Sequence, residues 1–223
     1  MKSLSLILQT DYNSVFTALC SETAIIEVVQ ESKITASSRL ICNIVSLLEK
    51  HQVSWNDLSF MGVNQGPGPF TTLRVIISTL NGLAFARNIP LIGVDGLAAF
   101  LQDVPSQNVS IVLFNAFAQD VYFGIKQGDE IIAMGWQNID LFLQKLQNDY
   151  AETSLVFFGN GTILFEEKIK NTFKNNAIIS SPQILYTSMQ AIVTAVYAQW
   201  NKRITHTSLL PLYLKTMDYK AST

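Results

Sequence analysis

Charge is scarce in this sequence: only 14% of its 223 residues are Asp, Glu, Lys or Arg, and 15 basic against 17 acidic side chains leave a net charge of −2. A chain that is 48% apolar is not a disordered one. The near-neutral balance also withholds the basic footprint with which proteins that grip nucleic acid unaided neutralise phosphates, so any such contact is expected to need a partner. Cysteine is almost absent. Cys20 and Cys42 form no CxxC pair and no disulfide framework, which points to a reducing, cytoplasmic setting. His51 and His206 are the two histidines, and neither belongs to an HxxxH or HExxH pair that would hold a metal on one helix face. No GxSxG elbow, Walker loop or GxGxxG turn following a strand occurs. Apolar runs are broken well short of the ~20 residues of a membrane helix. The opening Met1 to Leu8 resembles a signal sequence only until Gln9-Thr10-Asp11 ends it without a small-residue cleavage site, so it reads as a first strand.

What remains is a patterned α/β chain of a length that buries one substantial core or two smaller ones. Leu4 to Leu8, Ser14 to Leu19 and Ala24 to Val29 are separated by turn residues and predict an antiparallel meander. Between Ser37 and His51 the apolar residues Leu40, Ile44, Leu47 and Leu48 recur at helical spacing. Ile41 and Val45 widen that arc to roughly 160°, more than a one-sided surface helix needs. Phe60 to Val63 predicts a buried strand and Thr71 to Ala86 a second helix, along which Ser78, Gly82 and Ala86 form a stripe of small residues. Ile89 to Val94 returns as a strand, giving a parallel, right-handed strand-helix-strand unit. The same order is echoed later. Strands are expected at Ser110 to Phe114, Val121 to Lys126, Ile131 to Met134 and Leu155 to Phe158, with helices at Ile139 to Gln147, near Ile163 to Phe173 and at Met189 to Trp200. The tail Pro211 to Lys215 is expected to dock on one of two lobes, divided as 1–103 and 104–223.

The most informative motif is Gly66-Pro67-Gly68-Pro69-Phe70-Thr71-Thr72-Leu73-Arg74, which joins a strand to a helix with Thr71 placed to cap it. Two readings of Gly66, Pro67, Gly68, Thr71 and Arg74 stay open. Amides at a helix N-terminus favour an anion or a partner carboxylate, which would also relieve Arg74 of its poor position in the dipole. Alternatively, the loop is a tight turn and Arg74 pairs with an acid of its own chain. Elsewhere Gly159-Asn160-Gly161 reads as a turn opening a helix, Gly124 to Gly128 as a strand end and hairpin, Asp95 and Asp120 as caps. Lys168, Lys170 and Lys174, interrupted by Glu166 and Glu167 just before them, read as a solvated face.

The stretch Gly62 to Arg74, followed by Gly82-Leu83-Ala84 and Ile89-Pro90-Leu91-Ile92-Gly93-Val94 with Leu97, resembles the signature of the bacterial TsaB (YeaZ) family. The resemblance continues more weakly through Ser37 to Leu40, Asn115-Ala116, Val121-Tyr122, Gly159 to Gly161 and Pro211 to Lys215. It implies a two-lobed actin-like fold of the ASKHA, RNase H-like type, with mixed sheets flanked by helices. It further implies a catalytically silent paralogue of the transferase TsaD, which places threonylcarbamoyl on adenosine 37 (t6A) of tRNAs reading codons that begin with adenine. Such a subunit pairs with TsaD, works with the small ATPase TsaE, meets tRNA only through the complex, and forms a homodimer when alone. No membrane or DNA partner, no metal and no required cofactor are implied, with weak nucleotide binding at the subunit interface left open. On this chain the implied interface falls on Leu40, Ile41, Ile44, Val45, Leu48, Val75, Ser78, Thr79, Gly82 and Ala86. Departures from the family pattern remove polar or flexible groups that a nucleotide site would use: Leu8-Gln9-Thr10-Asp11, Ala36, Gln65, Pro69, Thr72 and Asn115-Ala116-Phe117. The rival readings are an actin-like kinase or peptidase-type enzyme, and a homodimeric scaffold without an RNA role.

Overall fold

The structure, a computed structural model, describes residues 3–105 and 109–214. Its described residues divide into two compact units, the first from residues up to Ala99 together with Thr187–Leu212, the second from Phe100–Tyr186 together with Tyr213 and Leu214. Each is built on a five-stranded mixed sheet. In the first, β1 (Leu4–Thr10), β2 (Ser14–Ser21), β3 (Ala24–Ser32), β4 (Leu58–Asn64) and β5 (Leu91–Val94) lie in the order β3-β2-β1-β4-β5. The predicted meander is antiparallel, and β1, β4 and β5 are mutually parallel. The second sheet repeats the scheme with β6 (Val109–Asn115), β7 (Asp120–Gln127), β8 (Glu130–Asn138), β9 (Leu155–Phe158) and β10 (Ala177–Ile179), ordered β10-β9-β6-β7-β8.

Successive residues of a strand face opposite sides, so an unbroken apolar strand must be covered on both. In β1, Leu6 and Leu8 join Leu19, Met61 and Val63 beneath two helices, α1 (Lys33–Lys50) and α2 (Phe70–Arg87). Ile7 faces the other way, with Ala18, Phe60 and Ile92, beneath Ile192, Val193 and Val196 of α7 (Met189–Asn201). Gly62 allows that approach, since a Cβ there would sit 2.7 Å from Val196 Cγ1. Tyr197 fixes the helix laterally: its hydroxyl donates to the Ser3 carbonyl and lies 3.0 Å from Ser5 Oγ. The expected division at residues 103 and 104 is corrected accordingly, because α7 and the segment to Leu212 complete the first unit. Without α7 the Ile7 face would be bare.

In the second unit, α4 (Ile139–Asp149) and α6 (Glu166–Phe173) set Phe142, Leu143, Ile169 and Phe173 over Ile111, Leu113 and Phe157. The single helix expected near 163–173 is two, because α5 (Asn160–Leu164) ends at Phe165 before α6 begins. The eight-residue α3 (Gly96–Asp103) was not foreseen as a helix; Asp95 Oδ1 accepts from Leu97 and Ala98 N at its start, as a cap should. Asp95 is largely buried, and desolvation pushes its carboxyl above the ordinary range against those two hydrogen bonds. No helix among the described residues is long and apolar enough to cross a membrane.

Two outcomes follow for stability. Gly159 has φ +92° and an added Cβ would lie 2.3 Å from the Leu113 carbonyl oxygen, a backbone atom that cannot turn aside. Gly159→Ala should therefore cost about 3 kcal/mol in denaturant unfolding, overpacking and backbone strain combined. On the first unit, Glu27 receives hydrogen bonds from Lys50 Nζ and His51 Nε2, both at 2.7 Å. The Lys50 bond first, then that of His51, holds its carboxyl below the ordinary 4.5. The unfolded chain then binds more protons than the folded one as pH falls through this range, so the contribution is complete above about 4.5 and vanishes below the folded value. Thermal melts from pH 6 to 3 should show a shallower fall in melting temperature for Glu27→Gln than for the parent.

Candidate partner face and glycine-proline loop

The loop after β4 is held by its own chain. Asn64, buried at the strand end, accepts the Gly66 amide on Oδ1 at 2.9 Å, and Gly66 has φ +128° with a cis bond to Pro67. The Gly66 carbonyl accepts from Gly96 N at 2.7 Å and the Gln65 carbonyl from Leu212 N at 2.8 Å. Gln65 Nε2 donates to the Leu210 carbonyl at 2.7 Å. This side chain lies across Gly93, where an added Cβ would sit 2.0 Å from Gln65 Oε1. One turn further, Asn81 of α2 clamps the same tail through both halves of its amide, donating to Leu209 O and accepting from Leu209 N at 2.9 Å each. His206 exchanges backbone hydrogen bonds with Leu91. The tail expected at Pro211 to Lys215 thus docks on the first unit as far as Leu212, and Lys215 lies outside the described residues.

The start of α2 differs from expectation. Pro69, not Thr71, is the N-cap, and no side chain caps the helix. A proline presets the φ that the position needs, and Leu73 N closes the first turn on Pro69 O at 2.9 Å. Thr71 is the second helical residue and is exposed. Arg74 places its guanidinium 4.0 Å from the centre of the Phe70 ring. Gly66 is committed to packing against Leu212 and Leu73, whereas Thr71 and Arg74 stand on the surface.

The two helices of the same sheet face carry a second feature. Leu40, Ile44 and Leu48, taken as interface residues from the sequence, are buried in the unit's own core against the Leu6 and Leu8 side of the sheet. That is a correction, and its cause is the sheet face that α1 must cover. Ile41 is different, being 55% exposed, and Val45 is half-buried. On α2, Ser78, Gly82 and Ala86 are exposed and Val75 and Thr79 half-buried, with open space around the position a Gly82 Cβ would take. Two members escaped the sequence reading: Ile34, 83% exposed, and Phe85, 92% exposed. Ile34 stands seven residues before Ile41 and Phe85 seven after Ser78, which puts each on the stripe already identified; helical spacing continued two turns outward was the available signal. Six surface positions result, Ile34, Ile41 and Val45 beside Val75, Gly82 and Phe85, on two helices that pack together.

Groups that chemistry would use are dispersed. Among the described residues no three His, Cys, Asp or Glu side chains are placed to hold a metal ion. His51 is engaged with Glu27. Cys20 is buried, and burial alone pushes its thiol up to about 12, while Cys42 is exposed on α1; both are free. Lys168 and Lys170 pair with Asp140 and Glu166 on the surface, as a solvated face requires. Gly159 opens α5 as the N-cap.

The fold has counterparts among known proteins. The family model for TsaD, tRNA N6-adenosine threonylcarbamoyltransferase, matches residues 31–217. The tRNA threonylcarbamoyladenosine biosynthesis protein TsaB of Buchnera aphidicola subsp. Schizaphis graminum is 21% identical over 209 residues, spanning 91% of this chain and 97% of the relative. YeaZ from Pseudomonas aeruginosa superposes with a TM-score of 0.74 at 21% identity, over 95% of this chain and 100% of that one. A Listeria monocytogenes protein described as a candidate N-acetylmannosamine kinase superposes with a TM-score of 0.51 at 14% identity, over 90% of this chain and 100% of that one. At such identities the two structures speak to fold, which is the actin-like pair of mixed sheets flanked by helices. The chain belongs to the family of TsaD, tRNA N6-adenosine threonylcarbamoyltransferase, and within it stands with the bacterial TsaB (YeaZ) proteins.

Proposed function

We propose that this chain is a non-catalytic accessory subunit of tRNA threonylcarbamoyladenosine (t6A) biosynthesis, acting by docking its α1 and α2 face on a TsaD-type transferase. The observation that carries the reading is the apolar stripe shared by two adjacent helices, with Ile34 and Phe85 almost fully in solvent. Side chains of this size leave water at a gain of about 1.5–3 kcal/mol each when fully covered, and a contiguous patch of them marks an association surface. Gly82 adds a place where a partner helix approaches closely. The names of the relatives supply the pathway.

Within this reading the modification is that of adenosine 37 in tRNAs reading codons that begin with adenine. The small ATPase TsaE completes the assembly, in the cytoplasm. No cofactor is required, and any nucleotide held at the subunit interface is held weakly. The same face serves a homodimer when the transferase is missing, because a stripe centred on small residues suits a twofold crossing of like helices.

Size-exclusion chromatography with light scattering, on the chain alone and mixed with the cognate transferase, tests this. A stoichiometric heterodimer replacing a homodimer is the expected result; a partner that never co-elutes, with TsaE and ATP present, leaves the homodimeric scaffold as the account. Ile41→Glu or Phe85→Glu should give a folded monomer whose affinity for the transferase falls by about 100-fold, the scale of losing one central anchor. Leu40→Glu and Ile44→Glu should instead unfold the first unit, since each buries an unpaired charge, and circular dichroism separates the two classes.

A further inference from the structure

Charge in this chain is segregated: although it carries 17 acids, none falls within residues 58–94 or 168–217. The first unit brings residues of these two stretches together. Pro90, Trp200, Asn201, Arg203 and Thr205 line a cavity of about 500 Å³ just beyond the end of α7. A second cavity of about 390 Å³ shares Pro90 and Thr205 and adds His206. Among the described residues no carboxylate lines either one.

Arg203 is strained where it stands. It follows the C-cap Lys202, has φ +59°, and closes the helix by donating its amide to Trp200 O at 2.8 Å. That left-handed position is the one helices ordinarily give to glycine, because an L side chain enters it at a cost. A cation near a helix C-terminus complements the dipole, but Lys202 alone supplies that. Among the described residues neither Lys202 nor Arg203 forms an ion pair. Trp200, half-buried, is fixed from within by the Phe60 ring at 4.6 Å and makes a rigid wall.

We propose that this groove binds a nucleotide-type phosphate ester. Arg203 takes the phosphate through its fork of donors, Asn201 and Thr205 add neutral hydrogen bonds, and the flat base or the ribose lies against Trp200 and Pro90. The chemistry is shared by a free nucleotide and by a segment of single-stranded RNA. Either would give the chain a phosphate contact of its own, which the net charge of −2 averages away. The proposal does not depend on the accessory-subunit reading, since it concerns the chain alone.

The test is a fluorescence-anisotropy titration of the full chain with a short labelled single-stranded RNA over a range of salt, with AMP as competitor. Arg203→Gly should weaken binding about tenfold or more and lower the slope of log K against log salt by about one. Its melting temperature should be unchanged or higher, because glycine relaxes the left-handed position. Lys170→Gln, the same loss of charge on the second unit, should leave binding as it was. Competition by AMP at concentrations comparable to the RNA identifies a free nucleotide as the ligand; its failure to compete identifies an RNA segment. Unchanged RNA binding by Arg203→Gly, an equal loss in Lys170→Gln, or a lowered melting temperature in Arg203→Gly overturns the proposal.

Discussion

Three consecutive residues of β1, Leu6, Ile7 and Leu8, have no access to solvent, and they point alternately to the two sides of the first sheet. A strand buried on both faces leaves no choice about what surrounds it: helices must cover each side, or tens of square ångströms of apolar surface per residue stay wet. On the Leu6 and Leu8 side the requirement is met by α1 and α2, each giving the sheet one stripe of Leu and Ile. On the Ile7 side it is met by α7, drawn from the far end of the sequence. The tail that follows α7 is then laid back along α2 and β5, where Asn81, Leu91 and Gln65 hold its backbone. The glycine-proline loop has the shape it has because its carbonyls and its Gln65 side chain end on that tail and on the start of α3.

Once α1 and α2 are committed to the sheet by one stripe, whatever lies outside that stripe is presented to solvent as a rigid surface. That is why Ile34, Ile41 and Phe85 are exposed without being loose: each sits on a helix whose other side is core. An association surface made this way has little to order on binding, so less conformational entropy is lost than on a mobile loop.

Local pattern was legible wherever a residue's neighbours in sequence decide its fate. The meander, the parallel return of β5, four strands of the second sheet and helices α1, α2, α4 and α7 were readable from spacing of two or of three and four, whereas the three-residue edge strand β10 was not. Ser32 starts α1 earlier than the pattern showed, and this put Ile34 outside the helix as read. The roughly 160° apolar arc of α1 is wider than one sheet face needs, yet periodicity does not say which edge of an arc meets the sheet. So Leu40 and Ile44 were grouped with Ile41. The destination of α7 and the grip of Gln65 and Asn81 on the tail were not legible at all. A polar side chain that bonds a distant backbone leaves no period in the sequence, and which sheet face a terminal helix covers is a long-range matter. Arg203 was invisible for a related reason, since only the backbone shows that an arginine holds a glycine's place.

The path of the chain through the first unit bears on how the protein is made. Its sheet and two of its helices are complete by Ala99, but Thr187–Leu212 must arrive before the Ile7 side is closed. On the ribosome, the second unit has all its strands outside the exit tunnel before the first unit receives its last helix. The amino-terminal half therefore waits with one apolar face open while the carboxy-terminal half is synthesised, and the sheet that forms first is the one covered last.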